Sequence, residues 1–169
     1  MSEHSSAQPL PDARELDQGI WPASAKRNTS GEIEIAGIGV SDLVEQFGSP
    51  LFVYDEQDVR TRARRYLEAY NTVDVPTNVY YAGKAFLCTT LVKWLIDEGL
   101  NIDVCTVGEL ETALRAGADP ARLLFHGNNK SVYELERAVD AGVGRIVVDS
   151  LIEIERLNQI ALARGVTAQ

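Results

Sequence analysis

From residue 77 onward, short apolar runs alternate with segments whose apolar residues recur every three or four positions. The runs are centred near Tyr81, Val104, Phe125 and Val148, at intervals of roughly 22 residues, about the length of one compact strand-plus-helix unit. Runs such as 123–125 show no polar alternation, which is typical of strands covered on both faces. The pattern therefore predicts four consecutive β/α units of an α/β fold.

The segments between the runs predict amphipathic helices that each bury one apolar stripe. The predicted stripes are Leu87, Leu91 and Leu95; Leu110 and Leu114; Leu135 and Val139; and Leu151, Ile154 and Leu157. Three helix starts pair a hydroxyl residue with a glutamate three positions later, which is the pattern of a reciprocal capping box. These pairs are Thr106 with Glu109, Ser131 with Glu134, and Ser150 with Glu153.

The segment before these units has a different pattern. Residues 1–30 are polar and proline-containing without a sustained period, and we expect a flexible lead-in there. Residues 31–55 predict two short strands, one at 31–37, where acids alternate with isoleucine, and one at 51–54. Asp55 is placed to cap a helix over about 56–70, which begins the predicted β/α region 56–169.

Periodicity alone does not distinguish a doubly wound sheet from a (β/α)8 barrel. A closed barrel needs about 250 residues. The chain has 169 residues and reaches just past a fourth helix, where residues 165–169 resemble the start of a fifth strand. We therefore expect about half of a larger α/β fold, and the doubly wound sheet and the barrel both stay open at this point.

Composition excludes several partner classes. The chain has 25 acidic against 16 basic residues, a net charge of −9, which disfavours binding to nucleic acid or to an anionic membrane. No apolar run approaches the roughly 20 residues of a membrane span, and the start lacks the pattern of a secretory signal. We therefore expect a cytoplasmic protein. Two cysteines and two distant histidines give no metal-ligand spacing, so no metal site is predicted.

Four polar residues fall where predicted strands end: Lys84, Asp103, His126 and Asp149. Parallel β/α folds assemble their sites from such strand ends, so these residues are expected to converge. Simpler structural interpretations exist for each. Lys84 could extend its ammonium into water, Asp103 could brace its loop, and His126 could be a hydrogen-bonded rim histidine.

The lysine also has a chemical interpretation. No glycine-rich dinucleotide fingerprint and no phosphate-binding P-loop follow the strands, so hydride transfer loses its main support. A lysine beside a carboxylate, at a rim partly shielded from water, suits a Schiff base with an aldehyde cofactor, because desolvation favours the neutral, nucleophilic amine. Residues 128–130 could simply shape the turn before Ser131, and this is the expected role of Asn128 and Asn129.

Three motifs in order, residues 79–86, 102–110 and 126–131, resemble the diaminopimelate decarboxylases, which have the alanine-racemase-type fold and bind pyridoxal 5'-phosphate. The resemblance extends over about residues 20–163. It implies that Lys84 carries the cofactor as a Schiff base and later donates a proton. It also implies that Asp103 favours the protonated imine and that His126 lies among the cofactor-binding residues.

For the whole protein, the resemblance implies decarboxylation of meso-2,6-diaminopimelate to L-lysine and CO2, the last step of lysine biosynthesis, by a homodimer. It also implies that residues 56–169 are the first half of a PLP-binding (β/α)8 barrel, followed by a β-domain to which residues 31–55 contribute strands. The family's cofactor-stacking histidine, phosphate-binding glycines and pyridine-facing acid correspond to positions beyond residue 169, so His126 is not that stacking histidine. We therefore expect a truncated chain that is inactive alone.

Three alternatives stay open at this point. The chain could belong to another decarboxylase of the same fold, of the arginine or ornithine type. It could be a non-catalytic fragment that associates with a complementary chain, or a small pyridoxal-phosphate carrier. Gly83 departs from the family pattern, where many relatives have a larger residue before the lysine, and we expect this change to loosen the backbone mildly.

Overall fold

A computed structural model describes residues 12, 15–72 and 74–169. These residues form two compact units, one ending at Asp58 and the other spanning Val59–Gln169. Part of the predicted lead-in, residues 1–11, 13 and 14, lies outside the described residues. Within the rest of the lead-in, Lys26–Arg27 forms the first strand, β1.

The first unit contains a small antiparallel sheet. Strand β1 pairs with β2 (Ile33–Ile35), and β2 pairs with β3 (Ile38–Gly39), which leads into helix α1 (Val40–Phe47). Ala36 and Gly37 both have positive φ, +51° and +81°, so they form the two-residue turn that matches the twist of a hairpin. The predicted strand at 31–37 is therefore confirmed in its centre.

The strand predicted at 51–54 is wrong. These residues belong to no strand of the structure, and Phe52 is 84% exposed. No described strand offers them a ladder of hydrogen bonds, and β-propensity alone does not make a strand without a partner. The helix that follows is confirmed as α2 (Glu56–Tyr70), and Asp55 Oδ1 accepts from the amide of Asp58 at 3.2 Å, as predicted for its cap.

The second unit is the predicted α/β region. Its four parallel strands are β4 (Tyr80–Ala82), β5 (Asn101–Val104), β6 (Leu123–Phe125) and β7 (Arg145–Ile146). Its later helices are α3 (Thr89–Asp97), α4 (Val107–Arg115), α5 (Val132–Ala141) and α6 (Leu151–Arg164). The strands lie in chain order without a reversal, which indicates a barrel, because a doubly wound sheet reverses order at its switch point.

The core lies between the sheet and the helices. Its largest fully buried side chains are Phe125, Ile102, Leu110, Leu123, Leu135, Val92 and Val104. Along the strands these alternate with Asp103 and Leu124, which are half-buried on the opposite face. The prediction that both strand faces are covered is therefore wrong within the described residues, since only the helix-facing side is fully buried.

The predicted stripes are confirmed for α3 to α5 and partly wrong for α6. Leu91, Leu110 and Leu135 are almost completely buried, whereas Leu151 is 80% exposed and Ile154 is also exposed. Helix α6 instead buries Glu153 in its first turn and Ile160 and Ala161 near its far end, and the predicted Leu157 packs partly buried against the core.

The fourth strand is shorter than predicted. Strand β7 ends at Ile146, and Val148, its predicted centre, follows it in irregular, exposed backbone. The amide of Val147 still donates to Phe125 O at 2.9 Å. On the other side, the amide of Ile146 donates to Gln169 O at 2.8 Å, so the final described residue begins to pair beside β7.

The helix starts are confirmed, but only one of the three capping boxes is reciprocal. Ser131 and Glu134 form the complete box. Thr106 and Ser150 accept the expected amide, yet Glu109 and Glu153 reach one residue further back. Their carboxylates accept from the amides of Cys105 at 2.6 Å and Asp149 at 2.8 Å, and thereby fix the backbone at the strand ends. Within the described part of the chain, no helix has the length and apolar character to cross a bilayer.

Candidate active site

The carboxyl ends of three neighbouring strands bring the predicted site residues to one edge of the sheet. Lys84 lies in the 3-10 turn Gly83–Ala85 that follows β4, Asp103 lies within β5, and His126 follows β6 directly. The parallel register pairs Ala82 with Asp103, so the turn that carries Lys84 starts level with that carboxylate.

Asp103 and His126 are in direct contact. His126 Nδ1 lies 2.5 Å from Asp103 Oδ1, and the two side chains are 27% and 21% exposed. An ionised carboxylate can only accept a hydrogen bond, so Nδ1 carries the proton and donates, and Nε2 of a neutral ring remains an acceptor. His126 is therefore a hydrogen-bonded rim histidine, oriented by Asp103.

Lys84 is exposed, and among the described residues its ammonium forms neither a hydrogen bond nor an ion pair. The acid expected beside it, Asp103, is bonded to His126 instead. Both Lys84 and Asp103 nevertheless lie close enough to Cys105 to influence its thiol electrostatically. The predicted shielding from water is not provided by the described residues, which leave this amine available to react.

The turn that carries Lys84 is held in a defined position. The Tyr81 hydroxyl donates to Phe86 O at 2.9 Å and so spans the turn. Gly83 is buried, and a Cβ there would lie 2.9 Å from Asp103 O. The expected loosening at Gly83 is therefore wrong, because the missing side chain lets this turn pack tightly against the neighbouring strand.

Lys130 is a functional candidate that the sequence did not reveal. The sequence suggested at most a role in shaping a turn, but its side chain is 1% exposed and its ammonium makes three contacts. These contacts are with Gly127 O at 2.6 Å, Val147 O at 2.7 Å and Glu153 Oε1 at 2.9 Å. The one residue that could have indicated a buried lysine was its counter-charge Glu153, but we had interpreted Glu153 as part of the capping box with Ser150.

A cleft of about 550 Å³ opens beside the Asp103–His126 pair. It is lined by Cys105, Thr106, His126, Gly127, Asn128, Asn129, Lys130, Glu134, Val147 and Asp149. Asp149, predicted to join the rim, thus reaches this cleft, where its side chain is exposed. Lys84 and Asp103 are on the same sheet edge but outside the lining.

The surroundings of Cys105 disfavour ionisation of its thiol. Burial raises its pKa, and the nearby carboxylate of Glu109 raises it further. A cysteine with a raised pKa is a poor nucleophile, so we assign Cys105 no chemical role.

We expect the alkylation of Cys105 by iodoacetamide, measured in a Cys88→Ser protein, to need a higher pH than alkylation of the same thiol in the unfolded chain. A raised pKa leaves less thiolate at any given pH. Replacing Glu109 by glutamine removes a negative charge and is expected to move the pH profile of alkylation back toward lower pH. An identical profile in folded and unfolded protein would contradict the burial described here.

Comparison with known proteins adds to this geometry. Residues 56–167 match the family model described as "Pyridoxal-dependent decarboxylase, pyridoxal binding domain". Diaminopimelate decarboxylase of Mycobacterium tuberculosis (strain ATCC 25618 / H37Rv) is 50% identical over 151 residues, which cover 89% of this chain and 33% of that protein. The enzyme of the same name from Staphylococcus aureus (strain COL) is 42% identical over 138 residues, covering 82% and 33%.

Solved structures show the same similarity. The crystal structure of diaminopimelate decarboxylase from M. jannaschii matches with a TM-score of 0.80 at 28% identity, covering 87% of this chain and 35% of the other. A lysine/ornithine decarboxylase from Vibrio vulnificus, complexed with putrescine, matches with a TM-score of 0.60 at 29% identity, covering 71% and 32%. The chain spans about a third of the length of the curated relatives it matches.

Proposed function

Because this chain belongs to the pyridoxal-dependent decarboxylases, we propose that it supplies the lysine-bearing part of a diaminopimelate decarboxylase. The α/β fold and the pyridoxal cofactor expected from the sequence are confirmed by the family match. The proposed reaction is the conversion of meso-2,6-diaminopimelate to L-lysine and CO2. The observation that carries the proposal is the amine of Lys84, exposed and without a described partner at the sheet edge where Asp103 and His126 meet.

The chemistry of these side chains fits an aldehyde cofactor. Lys84 Nζ is a primary amine with no competing acceptor among the described residues, and it would hold the aldehyde covalently. When bound, the pyridoxal ring supplies an electron sink for the carbon that loses its carboxylate. The chain's own contribution is to place the amine, through the Gly83–Ala85 turn, and to keep a carboxylate nearby.

Asp103 and His126 are proposed to act at the same edge. A carboxylate stabilises a nearby positive charge, so Asp103 favours the protonated form of the nitrogen at Lys84. Its hydrogen bond to Nδ1 also holds the ring of His126 in one orientation, with Nε2 left to bond the cofactor. We assign His126 to cofactor binding on this basis, without a stacking role.

The substrate is tested by measuring CO2 release from meso-diaminopimelate, arginine and ornithine, with pyridoxal 5'-phosphate present. A protein of the relatives' full length that contains this chain, here called the intact protein, is expected to prefer diaminopimelate by at least about a hundredfold in kcat/KM. A site built to bond polar groups strongly rejects substrates that lack them. The 169-residue polypeptide alone is expected to release no CO2. Preference for arginine or ornithine would replace the proposed substrate, and absence of any turnover in the intact protein would favour a non-catalytic association role.

We also propose that the protein acts as a homodimer in the cytoplasm. The support is the family likeness together with exposed apolar side chains, among them Leu151 and Leu162 on α6. Light scattering coupled to size-exclusion chromatography measures the mass of the assembly directly.

A further inference from the structure

Lys130 is a buried ammonium whose hydrogen-bonding capacity is fully used. Its three donors face three acceptors, Gly127 O at 2.6 Å, Val147 O at 2.7 Å and Glu153 Oε1 at 2.9 Å. Glu153 is itself only 5% exposed, so the two charges neutralise each other away from water. Such a pair is costly to bury.

The three acceptors belong to three different segments of the rim. Gly127 lies in the loop after β6, Val147 follows β7, and Glu153 lies in the first turn of α6. The second oxygen of Glu153 accepts from the amide of Asp149 at 2.8 Å, which extends the linkage along the β7–α6 loop. One side chain therefore joins the two loops that line the cleft.

The loop after β6 depends on this linkage. Gly127 has φ of +130°, a conformation that residues with side chains rarely adopt, and the carbonyl of Gly127 is held by the lysine. His126 immediately precedes Gly127, and the amide of His126 donates to Val104 O at 2.9 Å. The position of its imidazole is thus fixed from one side by β5 and from the other by the Lys130 contact.

We propose that Lys130 is a positioning residue of the site, which fixes the loop 126–130 so that His126 presents Nδ1 to Asp103. This inference rests on the proposed function, since it assigns Lys130 a role in the same site. Lys130 does not contact reacting groups. Its ammonium donates hydrogen bonds to two backbone carbonyls. The negative charge of Glu153 offsets the cost of burying that ammonium.

Two variants separate positioning from stability. Glu153→Gln removes the counter-charge but keeps the ammonium and its two carbonyl contacts. Lys130→Met in the Glu153→Gln background removes the ammonium as well, and both proteins then lack the buried ion pair. The difference between them is the contact of Lys130 with Gly127 O and Val147 O.

The readouts are the downfield NMR signal of the His126 Nδ1 proton and hydrogen exchange of the Val147 amide. The double variant is expected to lose the Nδ1 signal and to exchange the amide at least about tenfold faster than Glu153→Gln, although the double variant no longer buries an uncompensated ammonium. An Nδ1 signal and exchange rate equal to those of Glu153→Gln would overturn the proposal. If the methionine variant does not fold, Lys130→Gln in the same background is expected to give an intermediate loss, and no loss would overturn the proposal.

The same samples test the proposed function separately. After addition of pyridoxal 5'-phosphate and borohydride, the unsubstituted protein is expected to carry the label on Lys84. A protein that fails to label while its Nδ1 signal still depends on Lys130 would refute the cofactor role and leave the positioning of His126 supported.

Discussion

Replacing Lys84 by alanine is expected to abolish the absorbance near about 420 nm that a protein-bound pyridoxal aldehyde gives with a lysine amine. The loss should be complete, because the amine that holds the aldehyde carbon is gone and no other side chain in its turn can replace it. Decarboxylation in the intact protein should fall with it. The measurement is an absorbance titration with pyridoxal 5'-phosphate, followed by borohydride reduction.

The matched control is Lys93→Ala. The chain contains four lysines, Lys26, Lys84, Lys93 and Lys130. Lys130 is buried in an ion pair and Lys26 lies 3.6 Å from Glu34, whereas Lys93 is exposed on α3 and resembles Lys84 in its access to solvent. Lys93→Ala should leave the absorbance unchanged. If Lys93→Ala removes the signal and Lys84→Ala keeps it, the assignment of the amine is wrong.

Gly144→Ala is expected to destabilise the second unit by about 3 kcal/mol or more, at the upper end of what overpacking costs. A Cβ at Gly144 would lie 2.0 Å from Ala121 O and 2.6 Å from the carbonyl carbon of Ala121. Both are backbone atoms, so no rotamer change relieves the clash. The amide of Gly144 also donates to Pro120 O at 2.8 Å, and this bond has to lengthen if the segments separate. Denaturant unfolding measures the change in the free energy of unfolding.

Gly108→Ala is the control for Gly144→Ala, and it is expected to change the free energy of unfolding in the opposite direction. Gly108 lies in the first turn of α4, its φ is not in the positive region, and the nearest atom to an added Cβ is Thr106 Oγ1 at 3.9 Å. Alanine has the higher helix propensity and fewer unfolded conformations, so this change should stabilise by about 0.5 kcal/mol. A loss of less than about 1 kcal/mol for Gly144→Ala would contradict the close packing described here.

The regular part of the fold could be predicted because its signals are local. Helix starts depend on a hydroxyl and a glutamate three residues apart, as at Ser131 and Glu134, and strand centres depend on apolar runs. Both are properties of neighbouring residues. The four strand-plus-helix units and the position of α2 were accordingly found from the sequence.

The errors occurred where the outcome depends on distant residues. Residues 51–54 have strand propensity, but pairing needs a partner that no local pattern specifies. The exposure of Leu151 depends on what packs against α6. Each of these is a tertiary property.

Predictions for the site also succeeded where they depended on local patterns and failed where they depended on tertiary contacts. Strand ends placed Lys84, Asp103 and His126 on one edge, because parallel strands share a direction. The sequence did not show that Asp103 bonds His126, nor that Lys130 is buried. Which side chains meet across neighbouring strands depends on their three-dimensional packing, and the spacing of residues along the chain does not encode that packing.

The most direct test of the central claim is to locate the pyridoxyl group after borohydride reduction of the intact, unsubstituted protein with pyridoxal 5'-phosphate. Modification blocks trypsin at Lys84, so the account predicts a labelled peptide spanning residues 66–93, with the added mass on Lys84 by fragmentation in the mass spectrometer. A label on Lys26, Lys93 or Lys130 instead, or a protein that takes up no label, would contradict it.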